Sequence, residues 1–311
     1  MMPTRLRNNQ DGMVLLLVLV VVALLTSLLT EFAFSTLVDL RLTETYRDAT
    51  RAYYLAKGGV RAGRMLLQDD TNNHDSLDEL WSQGVSGYPV ADGTVNIHIE
   101  DQGGKLDLNR VYDPSGLAAH GRYMPMVERL FDVLDLNNPS GLADALLDWI
   151  DPDDSPEQDG AEDQYYLRLD PPYECKNAKL DSLDELALIK GFTPEIIAKL
   201  RPHVTVHGGD DKININTATA EVLMAVPAPP DEIDQAAAED IIDMRTKQPF
   251  TTATLPEVQN ISGLQALYLV PFDVKSPTYR IESWAVVNDG YRRVEAVIEK
   301  SGDKTLYLKV N

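Results

Sequence analysis

The chain of 311 residues has a single cysteine, Cys175, so no intramolecular disulfide can form and stability must come from packing or from a bound metal. Basic side chains are scarce: 28 Lys and Arg stand against 49 Asp and Glu, a formal net charge of −21. A surface that acidic repels nucleic acid and favours cations. Catalytic motifs are missing too. The five histidines, His74, His98, His120, His203 and His207, include no H-E-x-x-H pair, and neither a G-x-S-x-G elbow nor a P-loop occurs. Cys175 lies between Glu174 and Lys176 with no identifiable base, which points to an inert thiol. The expectation is a protein that is not an enzyme. An anchored periplasmic metal-dependent hydrolase is the alternative that an acidic loop would permit, and no motif supports it.

The N-terminus carries the strongest pattern. Met13 to Thr30 is an uncharged apolar run of 18 residues, roughly 27 Å as a helix, enough to cross the hydrocarbon of a bilayer. Arg5 and Arg7 precede it while Glu31 and Asp39 follow it, so the positive-inside bias puts the N-terminus in the cytoplasm and the remainder outside. A cleaved secretory signal is the competing reading. Against it, the run is too long, no A-x-A site closes it, and helical periodicity continues for about thirty more residues.

That continuation places Tyr46, Ala49, Tyr53, Ala56, Val60, Gly63 and Leu67 on one apolar stripe, with Arg47, Asp48, Arg51, Lys57, Arg61 and Arg64 on other faces. Small residues in the stripe suit close packing on a sheet. TVNIHIED, from Thr94, alternates with period two, and Gly103-Gly104 followed by KLDLN predicts a hairpin over 94–109. TYRIESWAVV, YRRVEAVIEK and TLYLKV predict three further strands, with turns at Asn288-Asp289-Gly290 and Ser301-Gly302-Asp303. Between these sheet segments the chain reads as helical, with capping boxes at Ser182-x-x-Glu185 and Thr254-x-x-Glu257 and an N-cap at Thr193-Pro194. LDELALIKGFTPEIIAKLRPHVTV resembles a helix-hairpin-helix unit, and INTATAEVLMAVP the start of another. Such units often bind DNA through helix N-termini. Lys190-Gly191-Phe192 lacks the paired glycines that admit a phosphate, the second turn is Pro227-Ala228-Pro229-Pro230, and the cationic footprint is missing, so structural packing is favoured over DNA binding.

The segment DWIDPDDSPEQDGAED holds eight carboxylates in sixteen residues, Asp148, Asp151, Asp153, Asp154, Glu157, Asp159, Glu162 and Asp163, and no basic side chain. In a compact fold they repel one another without a counter-ion. Calcium suits them, because it takes six to eight oxygen ligands in flexible geometry, whereas zinc wants nitrogen or sulfur. An EF-hand register fits from Asp151 to Glu162 except at position six, where the required glycine is replaced by Pro156. The expectation is a calcium loop of other form, with Asp151, Asp153, Asp159, Glu162 and Asp163 as candidate ligands; the alternative is a solvated acidic loop without metal.

Gly12-Met13, between a short charged leader and the long apolar helix, resembles the processing site of type IV prepilins and pseudopilins. The resemblance implies cleavage by prepilin peptidase after Gly12 and methylation of Met13. It also implies an α+β, pilin-like fold: a long N-terminal helix on an antiparallel sheet, with a large, mainly α-helical inserted domain. Most of that family carry glutamate at the fifth mature position, which is Leu17 here. A carboxylate in lipid costs about 2.5–3.5 kcal/mol unless it is paired, so a subunit with no neighbour above it has no use for one. Lack of this glutamate is typical of the K minor pseudopilins of type II secretion. ALLDWIDPDDSPEQDGAEDQYY, NAKLDSLDEL and INTATAEVL also resemble their calcium-binding inserted domain, and the order of motifs matches over nearly the whole chain. The implied organisation is leader 1–12, anchor 13–37, amphipathic helix and first strands 38–110, insert 111–269 and final strands 270–311. The implied partners are the minor pseudopilins I and J, prepilin peptidase and the inner membrane.

Overall fold

The computed structural model describes residues 10–112, 119–209, 211–228, 231–252, 272–302 and 304–311. Helix α1 runs without a break from Gln10 to Asp69, 60 residues. Nothing in its first half interrupts it: there is no proline, and the hydroxyls of Thr26, Thr30 and Thr36 donate to the carbonyl oxygens four residues back at 2.8 Å. These bonds let polar side chains sit in an apolar rod without an unpaired donor.

The second half of α1 lies on a five-stranded antiparallel sheet. Its strands are β1 (Val85–Val90), β2 (Gly93–Asp101), β3 (Thr278–Val287), β4 (Gly290–Glu299) and β5 (Thr305–Val310), adjacent in that order. β2 and β3 pair from Gly93 with Val287 to Asp101 with Tyr279, so two strands far apart in sequence lie side by side at the centre. Asn288, with φ +48°, turns β3 into β4 as the Asn-Asp-Gly pattern predicts. The buried line of α1 is Ala49, Ala52, Ala56, Gly59, Gly63 and Leu67. It sits one column from the predicted stripe: Tyr46 is exposed, and Tyr53 and Val60 flank the contact instead of making it. The smallest residues win the central line because they allow the helix to come closest. A Cβ on Gly59 would collide with Ser283 and Val95, and one on Gly63 would lie 2.9 Å from Ile281.

The expected hairpin over 94–109 does not form. β2 ends at Asp101, whose Oδ1 accepts from the Gly103 N–H at 2.7 Å, and the chain then leaves the sheet. Leu106 and Asp107 instead pair in parallel with Val204 and Thr205. The reason is burial: Leu106 and Leu108 are fully enclosed in a second apolar core, a larger gain than a short edge strand offers. The hairpin partner of β2 is β1, whose VSGYPV shows little alternation because it is an irregular edge.

The second core runs from Leu106 to Val274 and includes Phe131, Leu146, Trp149, Tyr166, Leu186, Leu200, Leu223 and Ile241. It is built by α2 (Ala119–Val133), α3 (Pro139–Ile150), α4 (Asp163–Tyr166), α5 (Pro194–Leu200), α6 (Ala220–Ala225) and α7 (Gln235–Lys247). The helical domain is thus inserted between β2 and β3, and its core includes residues on both sides of the 111–269 expected. Ser182 and Glu185 close a capping box, which starts a 3-10 helix over Leu183–Leu188. Thr193 caps α5 with Pro194 at its first position. Thr254 and Glu257 lie outside the described residues.

Candidate functional sites: an uncovered anchor and a carboxylate centre

From Gly12 to Thr43 every side chain of α1 is exposed. This is the one helix among the described residues long and apolar enough to cross a membrane, and its apolar window is wholly unburied. Gly12 and Met13 lie in its first turns, where a Cβ on Gly12 would meet no atom within 4 Å. Leu17 follows one turn later, exposed like its neighbours.

The acidic segment is the loop between α3 and α4. Its ends are held by ring contact between Trp149 and Tyr166, whose centroids are 5.1 Å apart. Asp148, fully buried in the last turn of α3, organises the loop: its Oδ1 accepts from the Glu157 N–H at 3.1 Å, and Gly160 packs against its carboxylate. The Lys190 ammonium donates to the carbonyls of Asp159 at 3.0 Å and Gly160 at 2.9 Å. With the loop so folded, Asp151, Asp153 and Glu162 each bring a carboxylate oxygen within 4.8 Å of the other two.

Three of the five expected ligands therefore meet. Asp159 is exposed, and Asp163 opens α4 with its Oδ1 accepting from the Cys175 N–H at 2.7 Å, so neither belongs to the cluster. Asn177, which the carboxylate count could not reveal, reaches the acidic loop from the following one. Its Nδ2 donates to Asp154 at 3.2 Å, and its Oδ1 is buried without a partner. Oδ1 of Asp151 and both Oε atoms of Glu162 are likewise buried and unpartnered. Burial, reinforced by Asp153 and Asp148, pushes the Asp151 carboxyl up to about 6. Burial also pushes Glu162 up to about 7, against the pull of the Cys175 thiol and with repulsion from Asp148 and Asp151 adding to it. A set of buried carboxylate oxygens with no imidazole or thiolate ligand beside it fits a hard cation, calcium above all. Cys175 does not join them as a thiolate: burial pushes its pKa up to about 12, and its Sγ lies 3.4 Å from the Asp148 carbonyl.

A family model for type II secretion system protein K matches residues 104–209, and a second of the same description matches residues 213–271. Type II secretion system protein K of Pseudomonas aeruginosa is 30% identical over 261 residues, 79% of this chain and 75% of that protein. This chain belongs to the type II secretion protein K family. The protein K of Aeromonas hydrophila is 27% identical and aligns over 97% of this chain and 96% of its own length. Among solved structures, the crystal structure of the GspK-GspI-GspJ complex of enterotoxigenic Escherichia coli contains a chain that matches with TM-score 0.68 at 18% identity, covering 86% of this chain and 99% of that one. The likeness supports the pilin-like fold. The family models begin where the chain leaves β2 and end near its return, so they describe the inserted domain, and the carboxylate centre falls within the first.

In this protein K family member the first hairpin-like segment contributes apolar side chains to the domain core. Gly191, with φ +88°, turns the chain between the 3-10 helix and α5. Leu186, Phe192, Ile197 and Leu200 from that unit are all buried in the domain core. A second carboxylate cluster escaped the sequence reading. Asp70, Asp75 and Glu79 converge where α1 ends, and Lys300 at the end of β4 reaches into them, 2.7 Å from Asp70 and in contact with Asp75. The run DDTNNHDSLDE was the available signal.

Proposed function

We propose that the chain is the tip subunit of the type II secretion pseudopilus and that it initiates pseudopilus assembly for export across the outer membrane. The observation that carries this reading is the apolar rod from Met13 to Thr30, which the protein's own fold leaves wholly uncovered and which continues in the same helix into the domain. Such a rod is soluble first in lipid and then only among similar rods, so packing against the helices of minor pseudopilins I and J in the inner membrane is the event that starts the filament. The inserted domain, on the sheet side of α1, supplies the bulk that caps the end. Leu17, in place of glutamate, suits a subunit with none above it.

In this reading the N-terminus is cytoplasmic, the folded domains are periplasmic, and prepilin peptidase cuts after Gly12 before Met13 is methylated. The role is non-enzymatic and involves no nucleic acid. Calcium, held by Asp151, Asp153, Glu162 and the Asn177 carbonyl oxygen, would supply the positive charge that fixes the α3–α4 loop. Intact mass of the membrane-extracted protein tests the processing: loss of twelve residues and gain of one methyl group is expected, and a chain still starting at Met1 would refute it.

A further inference from the structure

The two edges of the five-stranded sheet are built differently. β1 is guarded against an added strand: its register with β2 shifts between Val85 and Tyr88, Gly87 sits at φ +62°, and Pro89 has no N–H to give. β5, at the other edge, contains neither proline nor glycine, and no strand among the described residues pairs with its outer side. Its pairing with β4 is irregular only at the start, between Thr305 and Tyr307, and regular from there on. Asn311 exchanges both backbone bonds with Arg293, at 2.9 and 3.1 Å. Because antiparallel pairs alternate, Lys309 and Tyr307 also turn their backbone groups towards β4, and the N–H and C=O of Leu308 and Val310 point outwards. The side chains of Leu308 and Val310, opposite the buried Ala296 and Val294, are 59% and 46% exposed. Natural sheets blunt so flat and apolar an edge unless another chain pairs with it.

We infer that β5 receives an extended strand of a partner protein, one whose side chains alternate between apolar and acidic. The contact uses no part of α1 and stands apart from the helix packing proposed above. Strand addition draws its affinity from main-chain hydrogen bonds and its selectivity from alternate side chains. On one face of the added strand the side chains lie beside Leu308 and Val310, which favours apolar residues. On the other they lie beside Tyr307 and Lys309. There Asp184 alone answers two cations, accepting from Lys309 at 2.8 Å and from Arg201. Glu295, across from Lys309 on β4, is held by Arg280. Acidic residues on that face of the partner therefore meet an excess of positive charge in an otherwise acidic chain. A second copy of this chain fits less well. Its TLYLKV offers no acid to Lys309, and the pairing would bring together two bodies of net charge −21.

The test uses the full chain in detergent and a fluorescent peptide of roughly eight residues, enough to span β5, that alternates valine and glutamate. A peptide with lysine in place of glutamate is its counterpart. The glutamate peptide should bind about ten-fold more tightly than the lysine peptide, and its binding should slow amide exchange in 305–311 while leaving β1 unchanged. Leu308→Pro removes an outward N–H and no bond of the β4 ladder, and should weaken binding about ten-fold. Lys309→Glu should weaken it several-fold. Failure of the glutamate peptide to bind, or binding that leaves exchange in 305–311 unchanged, overturns strand addition. Equal affinity for the lysine peptide overturns the acidic partner. Slowing of exchange in 305–311 that grows with chain concentration alone overturns the choice of occupant in favour of a second copy.

Discussion

Two clusters of three carboxylates, one where α1 ends and one in the α3–α4 loop, differ in one respect. Asp70, Asp75 and Glu79 have a cation of their own, Lys300, and nearly every oxygen accepts a bond: Asp75 Oδ2 from the Ser276 N–H at 2.7 Å, Glu79 Oε2 from the Trp81 indole at 2.5 Å. Asp151, Asp153 and Glu162 have no ammonium or guanidinium among them and leave three carboxylate oxygens buried and unpartnered. Convergence of carboxylates therefore does not identify a metal site. The unsatisfied oxygens are what set the second cluster apart, and they are the reason calcium is proposed there and not at the first.

Removing the internal cation is the strongest way to break this contrast. Lys300→Met in the full chain in detergent should destabilise it by about 3 kcal/mol, read by denaturant melting, since it leaves the buried Asp75 and the partly buried Asp70 without their partner. The variant should also acquire a calcium dependence at the first cluster; if it melts like the parent, Lys300 is not the counter-ion. Next in size is calcium itself. At a concentration one hundred times its dissociation constant it should add about 2.7 kcal/mol through the second cluster, reversed by chelator. An unchanged midpoint would leave the loop as solvated acid.

Titration sharpens the difference with a smaller effect. The carboxyls of Asp151 and Glu162 are raised to about 6 and about 7 from ordinary values of 3.8 and 4.5, so the folded state binds protons more tightly than the unfolded one. Their contribution is fully present below about pH 4 and is lost as pH rises to about 7, and calcium should abolish that loss. Burial pulls the Lys300 ammonium down, but its bonds to Asp70 and Asp75 overcome this and hold it above its usual range. The positive charge that Lys300 supplies is therefore lost only in alkali. Melting at pH 5 and pH 7.5, with and without calcium, separates the two. The smallest effect is Glu162→Gln, which should stabilise the calcium-free protein by about 1 kcal/mol while removing most of the calcium shift. Loss of stability in the absence of calcium would mean that the carboxylate is satisfied within the chain.

Much of the fold was legible along the chain. The uncharged run from Met13, the final three strands and the caps at Ser182 and Thr193 each depend on neighbours within a few residues, and periodicity records such neighbours directly. The helix stripe was legible to within one column, because tyrosine and valine score as apolar even where only alanine and glycine can fit against the sheet. The partner of β2 was not legible: KLDLN looks like a returning strand until the helical domain offers Leu106 and Leu108 a better burial. At the carboxylate centre the segment could be named, but not which acids meet. Asp148 turned inward to bind loop amides, Asp159 stayed outside, and Asn177 joined from a loop that carries no excess charge.

The amino-acid order alone determined that an apolar rod precedes an acidic globular body, because charge and its absence need no neighbour to be read. Which oxygens stay unpaired, which lysine neutralises which acids, and which edge of the sheet stays open were decided only when residues as distant as Asp75 and Lys300 were brought into contact. Hydrogen-bond satisfaction belongs to the packed state, and no window on the chain contains both partners.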